Sequence, residues 1–424
     1  MTLRRRATVI GHSHAYLCVA LSLVFAIGCG GGAPDTPTSP PAATPVLTSI
    51  TLTSSSATVA VGSTLQLTAA ARDQQGRELF VTLAWSSSTA AIANVSASGL
   101  VTAVAPGTTT ITVSSGSASA SLAVTVTGTI AYVAGQAYFG RNSYIEYLAG
   151  NAPIILTAPH GGALAPTSIP DRIAAACGGS ATTVTDANTS ELVRVMQQRY
   201  FARHGAYPHV IISNLSRRKL DPNRVPPEAA CGNADAAAAL FEWHAFIDIA
   251  KRAVLASTGR GWYMDIHGHG HPIPRLELGY LLADADLNLP DVALDASLTY
   301  ENTASIRTLS QFSPLSFATL LRGPHSLGTL YANNGFPSIP SATDPRPNGT
   351  DYFNGGDNTV RHSCGGSATS LGGATGGNIC GVQIEANFTG VRNNAASRDR
   401  FGDATAVVLE EFLRVHWGIR LASP

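Results

Sequence analysis

Residues 261–272 read GWYMDIHGHGHP. An apolar run with one acid, Asp265, gives way to histidines alternating with glycines. A short apolar segment of this kind is the pattern of a strand buried on both faces of an α/β sheet, and chemistry gathers at the carboxyl ends of such strands. Histidine is scarce, 12 in 424 residues, yet three fall at positions 267, 269 and 271. His267 is the expected metal ligand. It stands two residues after Asp265, hence on the same strand face, and the glycines around it leave an ion room. His269 and His271 are secondary, with an exposed His-rich loop as their plainer reading.

The same pattern recurs on either side. The strand-like APIILTAP (152–159) leads into His160, and PHVIISN (208–214) leads toward Arg217, Asp221, Asn223 and Arg224. GVQIEAN (381–387) carries Glu385, and LELGYLL (276–282) reads as a further strand. Between them apolar residues fall at helical spacing: Leu192, Met196 and Tyr200 in 188–203; Leu240, Trp243, Ile247 and Val254 in 234–257; Val407, Leu409, Phe412 and Val415 in 397–416. Trp243 and Phe246 read as core. Strands alternating with helices predict an α/β domain over 129–424, loop-rich with short helices between 283 and 380. Charges repeated at strand ends are costly inside a protein unless paired, so they point to a site.

The residue types fit metal-assisted hydrolysis. Such a site needs two or three His, Asp or Glu ligands with an open position, a carboxylate that moves protons, and donors facing an oxyanion. His160 and His267 supply two ligands. TDANTSEL (185–192) offers Asp186 or Glu191 as the third; the plainer readings are a helix cap for Asp186 and a surface residue for Glu191. Glu385 is the expected catalytic carboxylate. Arg217 and Arg224 are expected at the oxyanion or, bidentately, at a substrate carboxylate.

Lys+Arg and Asp+Glu both number 27, so the basic excess of a nucleic-acid binder is missing. Hydrophobic residues make up 45% and charged residues 13%, enough to build a core. The chain opens with Arg4, Arg5 and Arg6, an apolar stretch from 15 to 27, then Gly28-Cys29-Gly30. This reads as a lipoprotein signal peptide over 1–28, with Cys29 lipidated as a membrane anchor. Residues 29–45, rich in Pro, Gly and Thr, read as an extended linker. The expected location is the bacterial cell envelope, facing periplasm or exterior. There Cys177, Cys231, Cys364 and Cys380 default to two disulfides. Three pairings are possible; Cys177–Cys231 with Cys364–Cys380 is preferred, because the second bridge closes a glycine-rich stretch.

Residues 46–128 have another texture. TSITLT, ATVAV, TLQLTAAA, LFVTLAW, GLVTAV, TTTITVSS and SLAVTV alternate apolar with small polar residues, punctuated by Gly and Ser. The period of two predicts an all-β sandwich, held by burial alone because it lacks cysteine. VAVGSTLQLTA and AWSSSTAAIANVSASGLVTAVAPGTTTITV resemble bacterial Ig-like domains of group 2. That resemblance implies a spacer or adhesion module in contact with cell-surface material.

A second resemblance covers about 140–415. APHGG, DANTSEL, SRRKLDPNR, DIHGHGH, RGPHSLGTL, YFNGGDNTVRH and VQIEAN are similar, in order, to motifs of N-formylglutamate amidohydrolase-like proteins, within the zinc carboxypeptidase and aspartoacylase-like superfamily. The resemblance implies an α/β zinc-carboxypeptidase-like (phosphorylase/hydrolase-like) domain with a mixed central sheet and one Zn2+ per chain. By motif, His160, Asp186 and His267 become zinc ligands and Glu385 the catalytic carboxylate. Arg217, Asn223 and Arg224 become substrate-binding residues, with Asn354, Gly355, Arg361 and His362 lining the site. The chain departs from the carboxypeptidase His-x-x-Glu, since Gly161, Gly162 and Ala163 follow His160. The acidic ligand therefore comes from further along, Asp186 or Glu191. The expected activity is hydrolysis of an amide bond in an N-acyl amino acid or short peptide with a free carboxylate. The alternatives are an adhesion lipoprotein with an inactive hydrolase-like domain, or a hydrolase of esters or cell-wall peptides.

Overall fold

The computed structural model describes residues 44–128, 132–365 and 377–421. The expected signal peptide, Cys29 and nearly all of the expected 29–45 linker lie outside the described residues. No helix among the described residues is long and apolar enough to cross a membrane.

The alternating segment folds as two four-stranded sheets. One has the order β1 (Leu47–Ser54), β3 (Thr64–Asp73), β6 (Leu100–Ala103), β5 (Ala93–Val95). The other runs β2 (Thr58–Ala60), β8 (Ala118–Thr127), β7 (Gly107–Ser115), β4 (Ala84–Ser87). Leu67, Val101, Ile111 and Val124 are fully buried in its core. LFVTLAW forms a strand only from Ala84 on; Val81 and Leu83 still pack against Ile50, Ala71 and Val113, but outside any ladder.

The α/β domain is built on an eight-stranded mixed sheet: β15 (Ser338–Ile339), β14 (Leu276–Gly279), β16 (Ile379–Asn387), β13 (Gly261–His269), β11 (Ile154–Ala158), β12 (His209–Ser213), β10 (Ile145–Leu148), β9 (Ala137–Phe139). The central four, β16, β13, β11 and β12, are parallel. Alternate residues of β11 feed two cores. Ile154, Leu156 and Ala158 pack with α1 (Thr189–His204) and α11 (Ala395–Trp417) on one face. Ile155 packs on the other with α3 (Ala234–Thr258), including Trp243. A short helix α2 (Pro226–Ala230) precedes α3, and α4 to α9 (Asp284–Leu287, Asp291–Asp295, Leu298–Thr303, Arg307–Phe312, Phe317–Arg322, Leu327–Asn333) and α10 (Asp357–His362) punctuate the loop-rich stretch.

The chain leaves β11 for β12 on one side and later returns to β13 on the other. That reversal opens a crevice at the carboxyl ends of the parallel strands. Cys177 pairs with Cys231 and Cys364 with Cys380. Bonds of this kind accord with an oxidising compartment.

Candidate metal centre

Three donors meet in the crevice. Asp186 Oδ2 lies 3.2 Å from His160 Nδ1 and 3.3 Å from His267 Nδ1. The two rings stand edge to face with centroids 4.7 Å apart. These atoms come from three motifs and lie close enough together to share one ion. Asp186 is not a helix cap: Asn188 holds that position, in left-handed backbone, and Asp186 takes an N–H bond to the His160 carbonyl instead. Glu191 is exposed in the first turn of α1, so geometry selects Asp186 as the acidic donor.

Each imidazole is oriented by a second carboxylate. His160 Nε2 contacts Asp221 Oδ1 at 2.7 Å, and His267 Nε2 contacts Asp265 Oδ2 at 2.8 Å. Both acids are fully buried. Asp221 is fixed by Arg217 Nε at 3.0 Å and the Asn223 amide at 3.0 Å; Asp265 accepts from Thr157 Oγ1 at 2.6 Å. A carboxylate on the outer nitrogen sets the tautomer and turns the inner one, Nδ1, toward the ion.

The electrostatics demand positive charge. Burial pushes Asp186 upward, but the charge and hydrogen bonds of His160 and His267 hold it well below the usual carboxylate range. Asp221 is opposed by burial too, and His160 with Arg217 keeps it low. Burial depresses His267, yet Asp265, Asp186 and Glu385 drive it well above its ordinary value. Every inner and outer nitrogen of the two rings thus faces an acid. A divalent cation replaces the inner protons and satisfies the same charge, so the donor set fits zinc-class chemistry.

Glu385 sits beside this triad, 4.0 Å from His267 Nδ1, its neighbour in register across β13 and β16. Burial pushes its carboxyl up to about 7. Gln383 Nε2 donates to Oε1 at 2.9 Å. Arg217, Asn223 and Arg224 line the same cavity, of about 390 Å³, together with Gly355 and Phe353. The guanidinium of Arg217 is committed to Asp221 and approaches Asp186 at 3.6 Å. Arg224 is half-exposed, held by the Asn223 carbonyl at 2.8 Å.

Three expected lining residues stand elsewhere. Asn354 lines a neighbouring hollow with Leu281 and Val360. His362 is buried on α10, bonded through Nε2 to His244 Nδ1 at 2.9 Å, and burial drives it well below its usual range. Arg361 interacts with Asp248 and Asp357. The helix turns both away from the crevice that Gly355 and Gly356 reach. The glycines also differ from expectation: a side chain at Gly268 would strike the Arg392 guanidinium, so that glycine admits an arginine rather than an ion. Arg392 donates to the Ala386, Ala187 and His269 carbonyls and so ties three site segments together.

The sequence brings Asp221 to a strand end without a role on His160, and it does not single out Gln383 or Arg392. The i, i+2 spacing of Gln383 to Glu385 and Asp265 to His267 was available as a signal; for Arg392 there was none. Arg322, from RGPHSLGTL, lies away from the cavity and binds Asp291 and the Leu287 and Leu289 carbonyls.

Residues 46–126 match the family of Bacterial Ig-like domain (group 2). The chain is similar to domains 4 and 5 of the S-layer protein SbsC, at 30% identity and TM-score 0.19, over 20% of this chain and 54% of that one. It thus spans about half the length of that structure. It is also similar to N-formylglutamate amidohydrolase from Ralstonia eutropha JMP134, at 13% identity and TM-score 0.36, over 65% of this chain and 99% of that one. For gene product Atu2144 from Agrobacterium tumefaciens the values are 13%, 0.33, 64% and 94%. No curated protein matches the chain.

Proposed function

We propose that the α/β domain is a zinc-dependent hydrolase of amide bonds, acting on an N-acyl amino acid or short peptide with a free carboxylate. One observation carries the reading: two buried imidazoles aim Nδ1 at one carboxylate oxygen while separate buried acids hold their Nε2 atoms. His160, Asp186 and His267 would hold the zinc, which supplies Lewis-acid chemistry by activating water and polarising a carbonyl.

The chain's own groups do the rest. Glu385, its carboxyl pushed up to about 7 by burial, takes a proton from water and returns it to the leaving nitrogen. Gln383 occupies Oε1, which leaves Oε2 for that proton. Arg224, only lightly tethered, turns to the substrate carboxylate beside Asn223. Arg217 acts through Asp221 as a positioning residue rather than at the oxyanion. Cys29 lipidation places the enzyme in the cell envelope, and the Ig-like domain serves as its spacer.

The test is reconstitution of stripped protein with Zn2+ and assay on N-acyl amino acids against their C-terminal amides. Hydrolysis is expected only where the carboxylate is free, and His160→Ala should remove one zinc per chain and the activity. Undiminished activity in a His160→Ala/His267→Ala double variant overturns the reading.

A further inference from the structure

A second group of donors lies along the same strand end. His269, His271 and Glu277 each bring one donor atom within 4.8 Å of the others. Oε1 is 2.8 Å from His271 Nδ1 and 3.8 Å from His269 Nδ1. Glu277 is fully buried. Its ion-pair partners among the described residues are those two imidazoles, with no lysine or arginine between them. Its other oxygen accepts the Phe353 amide at 2.9 Å.

The ladder makes that acid harder to explain as packing. Glu277 pairs directly with Glu385, which pairs with His267, so two buried carboxylates face each other on adjacent strands. Like charges opposed in a sheet are destabilising, and buried carboxylates need a compensating charge. The rings are ready to supply a ligand set. His269 Nε2 lies 2.8 Å from the Arg275 carbonyl, which only accepts, so the proton sits there and Nδ1 carries a lone pair. Nδ1 receives the His271 amide at 3.1 Å, a contact an ion replaces. His271 is partly exposed, stacks on Phe353 with centroids 4.7 Å apart, and lines the common cavity, which gives an ion its way in.

We infer that His269, His271 and Glu277 form a second divalent-cation site, of the imidazole–carboxylate type suited to zinc or cobalt. Glu385 stands in register between the two centres.

The test is titration of chelator-stripped, full-length protein with Zn2+ and then Co2+, read as ions per chain and as phases of the isotherm. Two ions are expected in the wild type. His271→Ala should retain one ion and lose about tenfold or more affinity for the other. His271 is chosen over buried Glu277 because its loss spares the sheet; circular dichroism and the melting temperature check this. His160→Ala should also retain one ion, at the second site. A wild type that binds one ion, lost with His160→Ala and kept with His271→Ala, overturns the second site and leaves the hydrolase reading intact. One ion lost only with His271→Ala upholds the second site and sinks the first. A second phase weaker than about 1 mM also overturns it.

Discussion

The sandwich buries Leu67, Val101, Ile111 and Val124, and the one buried charge in it, Asp73, serves a turn by accepting the Gln75 and Arg77 amides and pairing with the Arg77 side chain. The end of the α/β sheet buries Asp186, Asp221, Asp265, Glu277 and Glu385 around four histidines. Both regions obey the same cost for desolvating charge. In the sandwich the charge is met locally, by the amides of its own turn and the Arg77 guanidinium. At the sheet end, acids outnumber the permanent cations that touch them, and imidazoles poised for protons or metal make up the difference. That contrast separates a region whose one buried charge shapes a turn from one whose buried acids call for protons or a cation.

The largest effect expected is on proton transfer. Glu385→Gln should keep zinc and lower kcat by about 10²–10⁴. Glutamine preserves the shape but cannot carry the proton between water and the leaving nitrogen. Full activity in this variant removes Glu385 from the reaction.

Between pH 7.5 and 4.5 acid should act on the α/β domain and spare the sandwich, which contains no histidine and whose Asp73, though raised by burial, is held below the ordinary carboxylate range by its bonds to Arg77 and Gln75. His209 is buried, and burial lowers its pKa to about 4. Its Nδ1 accepts from the Gly150 amide at 3.2 Å and contacts Tyr147 Oη at 2.8 Å, so a proton there meets a fixed donor. Between pH 6.5, the ordinary value, and about 4 the unfolded chain binds a proton the folded chain refuses. Stability contributed above pH 6.5 is therefore lost as pH falls through that window, by about 3 kcal/mol in all. Urea midpoints at pH 7.5 and 4.5 measure the loss, and it should shrink in His209→Gln. An unchanged pH slope in the variant assigns the loss to other groups.

Orientation should matter less than protonation. Asp221→Asn keeps the size of the group that holds His160 but removes its charge. Affinity for zinc should fall by about 10–100-fold, with kcat at saturating zinc changing less. An unaltered zinc isotherm would show that His160 is aimed by its own strand end and the Gly161-Gly162 loop.

The contrast between the regions also decides how far the sequence could be read. Period-two alternation gave the sandwich, and its resemblance to group-2 Ig-like domains over 46–128 is matched over 46–126. The strand ends gave His160, His267 and Glu385, because a polar group after a buried apolar run has few other uses. Asp186 against Glu191 stays open in the sequence, since both are acids of one motif and only the fold shows that the loop before α1 carries Asp186 into the crevice while Glu191 faces outward from the first turn. Arg361 and His362 looked like neighbours of Gly355, yet α10 rotates them into the packing beside His244. Arg392 holds carbonyls, and carbonyl contacts leave no mark on side-chain pattern. The strand β13 continues to His269, so the histidines first read as a loop are partly ladder, paired with β16.

The smallest effect tests the contrast from the other side. Ile111 is fully buried in the sandwich, and Ile111→Ala should cost about 2–5 kcal/mol of that region's stability, through lost transfer energy and the cavity left behind. Every donor of both histidine–carboxylate clusters lies between residues 160 and 277, and Glu385 follows on β16. None of them touches the sandwich core, whose members run from Val59 to Val126. kcat/KM should therefore stay within about twofold of wild type below the melting transition, because sites with no shared partners are energetically independent. A larger fall would mean that the sandwich holds part of the crevice in shape, and the division between a burying region and a reacting one would have to be redrawn.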